Sequence, residues 1–501
     1  ASHVLRALLL ALGGYAPESD ARSRATARAG LLPERRHDVP AEVADCRRDI
    51  GRSLVKLLAE DHSLCMSASA SPVIQLLLRV LYHRGDRALV AEAAIAMVGD
   101  VADGGDRASL RPSEAKLDAL LHSAPGSRAL EAVLETAAAE VVNSLFAKYF
   151  RHRLRSLMCE EAGEFGVFLA QRVIDSLRDE PQLLLTLAQM DFPTCLGPSA
   201  TPSQQAVVVK LLEACLRLRA GLKECATEVF RVLGLRAPAE FTRVWPTLLT
   251  LERTESTLDL LSTTRGRRKD RGQDGQATED STAGATKTSP ANPVHEGQGA
   301  GTVQLDANKG PPVLRLLPAA GPQILGCLLR FPAEAVQQLN SGIPQLLKHQ
   351  EVLGALAREK KTARVLEAAL APSSALLPSH RLKLTKAFQG LLGELGPHPV
   401  GGWVCAALWR SSLGDEALRQ AFADELLFVE DALRTHNFAV WKVCGLYQAK
   451  IRKEEWSQQQ RKAGKAKKLF GDLLEGDPEV AKAAAKARQR AAEDEASRKA
   501  A

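Results

Sequence analysis

One nine-residue stretch, Gly126-Ser127-Arg128-Ala129-Leu130-Glu131-Ala132-Val133-Leu134, returns in variant form as Thr362-Ala363-Arg364-Val365-Leu366-Glu367-Ala368-Ala369-Leu370. Both carry a small residue, an arginine, an apolar pair, a glutamate and then more apolar residues. On a helix, positions 127 and 131 lie one turn apart, so Ser127, Arg128 and Glu131 share a face while the apolar residues pack on another. Weaker copies of the five-residue frame begin at Ser2, Ser71, Val167, Gln205, Pro322, Gly402 and Asn437. From 127 to 167, 167 to 205, 322 to 363, 363 to 402 and 402 to 437 the steps are 40, 38, 41, 39 and 35 residues. A period of this size means stacked units, none of which can bury its own apolar face alone. The longer steps, 2 to 71, 71 to 127 and 205 to 322, hold either insertions or a further unit.

Composition agrees with a stack. At 501 residues the chain exceeds a single conventional core, yet its 45% hydrophobic content is ordinary and even. A solenoid grows in length without growing in thickness. Strand signals are scarce, and apolar residues recur at spacings of three and four, so the expected class is all-α. A helix that repeats while presenting a few selectable side chains suits flat ligands that bear hydrogen-bonding edges, and single-stranded RNA bases match best.

Punctuation divides the chain. Residues 1–12 read as a frame-bearing helix and 13–40 as a polar, disordered insertion. Repeats continue to 261, with breaks at Gly99–Gly105, Pro125-Gly126, Pro181 and Leu196–Pro202. Residues 262–302 lose all apolar periodicity and read as a disordered insertion inside one repeat. Such an insertion costs little closure entropy, so a second domain is not required. Repeats resume over 303–448. Residues 449–501 read as a basic helix followed by a low-complexity tail with no core to join. The chain opens at Ala1 inside a frame, without an initiator methionine, so it reads as a fragment in which any earlier repeat or targeting signal is not visible.

Charge is concentrated. The net charge is +7. Between 442 and 468 stand Lys442, Lys450, Arg452, Lys453, Arg461, Lys462, Lys465, Lys467 and Lys468 against Glu454 and Glu455. This excess equals that of the whole chain and suggests a phosphate contact or a nuclear address. The nine cysteines form no Cys-x-x-Cys pair and no metal-type spacing, so they read as reduced, mostly buried thiols, with no metal and no cofactor. No apolar run reaches membrane-span length. There is no Walker-type loop, no Gly-x-Ser-x-Gly elbow and no His-Glu-x-x-His, so no enzyme is expected.

Frames of the Ser-Arg-x-x-Glu and x-Phe-x-x-Gln kind on this step resemble Pumilio (PUF) repeats. The ends, ASHVLRALLLALGG, PVGGWVCAALW with Trp409, and FAVWKVCGLYQAKIRKEEW with Trp441, Lys442, Tyr447, Arg452 and Trp456, resemble the nucleolar Pumilio-repeat family of the Nop-nine type. The resemblance implies a right-handed, curved or U-like α-solenoid of degenerate Pumilio or armadillo-like repeats. It also implies a non-enzymatic scaffold of the nucleus and nucleolus, expected to be monomeric and to have no membrane contact. The scaffold would bind single-stranded or structured pre-ribosomal RNA beside proteins of the early small-subunit particle. Members are thought to restrain premature cleavage at the 3′ end of the small-subunit rRNA.

In such repeats the first and fifth frame residues contact a base edge and the second stacks. Carried over, Glu131 accepts from a guanine edge while Ser127 steadies the base, and Gln171 meets uracil. Arg6 with Ser2 donates to a cytosine carbonyl. His3, Arg128, Phe168, Arg364, Trp403 and Phe438 offer stacking planes. Ser71, Gln75, Ala363, Glu367 and Gly402 occupy equivalent positions, and Lys450, Arg452 and Lys453 are the expected basic contacts. Several positions depart from the pattern. Pro72, Ala206 and Gln323 replace a stacking group, while Val167, Val209, Gly326 and Ala406 cannot read an edge by hydrogen bonding. A uniform code is therefore not expected. Two alternatives remain: a HEAT- or armadillo-like protein-binding scaffold, and a different nuclear Pumilio-like protein.

Overall fold

The computed structural model describes residues 2–15, 32, 37–100, 111–158, 165–252 and 317–476. These residues are helical apart from turns and one two-residue antiparallel ribbon, Gly99–Asp100 against Arg111–Pro112. The expected insertion 262–302 and the tail beyond 476 lie outside the described residues. The chain divides into two compact units. The first comprises Ala1–Arg253, Pro318–Ser341 and Ser373–Leu376, and the second is built from Gly342–Pro372 and Leu377 onward.

In the first unit the frames fall on helices Ser2–Leu12 (α1), Ser71–Arg84 (α2), Ala124–Thr136 (α3), Gly166–Ser176 (α4), Pro202–Leu218 (α5) and Ala320–Leu328 (α6). Each packs on the next along this series. The long steps are therefore insertions between neighbouring repeats, since α1 meets α2, α2 meets α3, and α5 meets α6 directly. Sequence signals explain the starts. Ser123 accepts from the Gly126 N–H at 3.3 Å, with Pro125 in the first turn of α3. Thr201 and Gln204 cap α5 reciprocally, at 3.3 and 2.9 Å. Central helices are buried on several sides: in α2 every residue from Val73 to Leu81 is buried. Full burial of each leucine there contributes about 1.5–3 kcal/mol.

The first unit runs to Arg253 and resumes at Pro318. Gly321, at the start of α6, lies so close to the preceding helix Val244–Thr250 that a Cβ would stand 2.3 Å from the Leu249 carbonyl oxygen. Trp245, 1% exposed, donates its indole N–H to the Leu339 carbonyl at 3.0 Å. At the other insertion, Tyr15 is buried, and Arg84 donates to the carbonyls of Gly13 and His37 at 2.7 Å each. Residues 13–15 thus belong to the repeat, not to the loop. Residues 16–31 and 33–36 lie outside the described set.

In the second unit the frames fall on Lys360–Leu370 (α7), Gly401–Ser411 (α8) and Phe438–Val443 (α10), each packed on the next. Glu416–Phe428 (α9) and the long basic helix Lys453–Gly476 (α11) complete it. The basic helix joins the core of this unit. Trp456 is 2% exposed, with its ring 6.1 Å from that of Trp409. Arg461 and Ser457 both donate to Glu416, at 2.7 Å each. One buried aromatic in an otherwise polar helix suffices to anchor it, a signal masked by the surrounding charge.

Candidate nucleic-acid interface

The frames have a consistent burial pattern. Second-position residues face outward: His3, Arg128, Phe168, Gln323, Arg364 and Phe438 are exposed, and Pro72, Ala206 and Trp403 are half-buried. First-position residues are buried at Ser71, Ser127, Pro322, Ala363 and Gly402 and half-buried at Ser2, Val167, Gln205 and Asn437. Ser71 is fully buried and donates to the Pro125 carbonyl at 2.6 Å, tying α2 to α3. Ala363 is fully buried. Gly402 is buried because Asn437 fills the space: a Cβ there would stand 1.8 Å from the Asn437 amide nitrogen. The structure therefore removes Ser71, Ala363 and Gly402 from the accessible face, since a first-position side chain meets the following repeat before it meets solvent. Ser127, 2% exposed, turns its hydroxyl to the Ala124 carbonyl at 3.1 Å.

Fifth positions differ among themselves. Gln75 is buried and donates to the Ser71 hydroxyl at 3.0 Å. Gln171 donates to the Ser203 carbonyl at 2.9 Å, so its amide N–H is occupied by the next repeat. Arg6 is half-buried and donates to His3 Nδ1 at 2.6 Å, beside half-buried Ser2. Glu367 pairs with Arg364 at 2.8 Å, and the Arg364 guanidinium lies over the Trp403 ring at 4.3 Å. Two expected stacking groups from successive repeats, α7 and α8, thus stack on each other. Glu367 also borders a cavity of about 320 Å³ with Arg410.

The most developed feature spans three repeats of the first unit. A cavity of about 340 Å³ is bounded by Gln75 and Arg79 from α2 and by Ser127, Arg128 and Glu131 from α3. Phe165, Phe168 and Arg172, at and within α4, close it. Phe168 is 48% exposed. The Glu131 side chain is 23% exposed, and among the described residues its charged partner is Arg172 at 3.9 Å, beyond hydrogen-bond reach. Burial pushes the Glu131 carboxyl above its usual range, while Arg172, Arg79 and Arg128 pull it partly back. Arg79 is held by Glu135 at 3.0 Å. This site thus collects a desolvated acceptor, an aromatic plane and three guanidinium groups. Sequence reasoning missed Arg79 and Arg172. Each stands four residues beyond a frame residue, Gln75 and Phe168, and so one turn along on the same face.

Of the basic candidates, Lys450 pairs with Glu430 at 2.5 Å and Arg452 with Glu455 at 3.3 Å, while Lys453 is exposed. A further cavity, about 490 Å³, lies between Pro378, Arg381, Ser412 and Asp415 and contains no frame residue. Arg381 there donates to the carbonyls of Ala371 and Pro372.

Stacked helical repeats near 40 residues apart, with exposed second positions at most frames and a glutamate one turn on in two of them, fit the PUF-repeat class. In this class helical repeats read single-stranded RNA. A family model described as the NOP9-like PUF repeat domain matches residues 1–438. Nucleolar protein 9 of Leptosphaeria maculans is 22% identical over 490 residues, covering 92% of this chain and 58% of that relative. Nucleolar protein 9 of Pyrenophora teres f. teres is 24% identical over 482 residues, covering 92% and 59%. The chain thus spans under three fifths of the length of these relatives. Among solved structures, APUM23-GGAAUUGACGG superposes with a TM-score of 0.62 at 19% identity, covering 92% of this chain and 74% of that one. The chain belongs to the NOP9-like PUF repeat family, an all-α solenoid of the nucleus and nucleolus.

Proposed function

We propose that this chain binds pre-ribosomal RNA through its exposed second-position residues and reads a guanine in the cavity around Glu131. The observation that carries this is the Glu131 carboxylate. Its side chain is 23% exposed, accepts no hydrogen bond from a described residue, and lines a cavity in the size range of ligand sites. Burial disfavours the ionised form of this carboxylate, and a ligand that supplies donors would stabilise it. The N1–H and N2–H of guanine are donors of the right kind, with Phe168 and Arg128 beside them as stacking planes. The name APUM23-GGAAUUGACGG of the structural neighbour carries several guanines, in keeping with this reading.

The finer proposal follows from the family. The RNA is the small-subunit precursor, and binding restrains premature cleavage at the 3′ end of the mature 18S sequence, alongside proteins of the same particle. The test is crosslinking in cells followed by sequencing of the bound RNA. Reads should gather near the 3′ end of the small-subunit sequence. Reads spread over messenger RNAs would contradict the ribosomal assignment, and near-background recovery would favour a peptide-binding scaffold.

A further inference from the structure

We propose that Arg172 is the second half of the guanine reader, its guanidinium donating to O6 of the base whose N1–H and N2–H donate to Glu131. The inference rests on the guanine reading of Glu131 and adds a residue from the following repeat, outside the frame.

Three observations lead to it. Arg172 and Glu131 line the same cavity and lie 3.9 Å apart, close enough to address neighbouring atoms of one base edge but too far to satisfy each other. Arg172 makes no hydrogen bond with any described residue and is one-third exposed, so its donors point into a site that water or ligand must fill. It follows Phe168 by one helical turn, so a base stacked on the Phe168 ring would present its edge toward Arg172.

The pair then mirrors the edge that cytosine offers guanine: a donor opposite O6 and acceptors opposite N1–H and N2–H. Adenine places a donor opposite Arg172 and an acceptor opposite Glu131, so both contacts oppose it. Uracil satisfies Arg172 through O4 and Glu131 through N3–H, but its O2 faces the second carboxylate oxygen. The arginine also offsets the carboxylate charge near an RNA backbone. Discrimination on this scheme comes largely from the polar groups that a wrong base leaves unpaired.

The test uses the full chain and oligouridine carrying one central guanosine, inosine or 6-thioguanosine, with affinity read by fluorescence anisotropy. Inosine lacks N2–H, and 6-thioguanosine replaces O6 with a weak sulfur acceptor. The unaltered chain should bind guanosine about tenfold more tightly than 6-thioguanosine. Arg172→Met should erase that preference while retaining the guanosine-over-inosine preference, which belongs to Glu131. Arg172→Gln, which keeps an amide donor, should restore part of it and guards against a folding artefact. Equal loss on all three RNAs in Arg172→Met would assign Arg172 to phosphate or to packing and overturn the proposal. The reading of Glu131 fails separately if Glu131→Gln leaves the guanosine-to-inosine ratio unchanged.

Discussion

Replacing Glu131 with glutamine exchanges one carboxylate oxygen for an amide and keeps shape and volume. Its effects on binding and on stability should therefore separate. In the bound state two donors of guanine meet the carboxylate, and hydrogen bonds to a charged group contribute about 1.5–3 kcal/mol each. Glutamine keeps one acceptor and sets an N–H₂ against the other donor. The guanine-to-adenine affinity ratio should fall roughly ten- to hundredfold, the loss of about one such bond. Stability should not fall with it. The carboxyl is held above its ordinary value of 4.5 mainly by burial, so ionised Glu131 works against folding. The native state then binds more protons than the unfolded chain between that value and the raised one, and stability declines as pH rises through this window. Glu131→Gln removes that decline and should melt at the same temperature or higher near neutral pH. Guanine preference in the unaltered chain should weaken as pH falls into the same window. Anisotropy against paired oligonucleotides, with thermal melts across pH, measures all three. An unchanged guanine-to-adenine ratio would refute direct readout by Glu131, and a lowered melting temperature would mean that the carboxylate has a structural partner.

Three further outcomes are expected. Trp456→Ala should destabilise the second unit by about 3–5 kcal/mol, seen as an earlier transition in denaturant, because Trp456 anchors α11 beside Trp409. Ser71→Ala should cost about 1–3 kcal/mol of stability, since the Pro125 carbonyl and the Gln75 amide both lose their partner. Base preference should be unaltered, and a shift in preference without a loss of stability would return Ser71 to the reading face. Exchanging the exposed Lys453, Lys462 and Lys465 for glutamine should flatten the salt dependence of RNA binding by roughly 0.7 per lost phosphate contact on single strands, with base selectivity intact. An unchanged slope would mean that this helix face does not touch phosphate.

The repeat spacing and the register were legible because each follows from one helix. A recurrence near 40 residues requires stacking, and of the second positions His3, Arg128, Phe168, Arg364 and Phe438 are each exposed. What could not be read depends on the neighbouring helix. Ser71, Ala363 and Gly402 fit the frame, yet the next repeat covers them. At Gly402 the covering group is Asn437, 35 residues along the chain. The same blindness hid Arg172, which matters only because α4 brings it against Glu131 of α3. The anchoring of the basic helix was hidden for a different reason: its composition is that of a solvated element, and only Trp456 marks the face that packs.

The most direct test of the central claim is to irradiate the chain bound to a guanine-containing single-stranded RNA and locate the nucleotide adducts by mass spectrometry. Adducts on peptides from α3 and α4, at Phe168 above all, with a further set at Trp403 in α8, are the predicted result. Adducts confined to helices that carry no frame, such as Ala139–Lys148 and Glu180–Gln189, would contradict it.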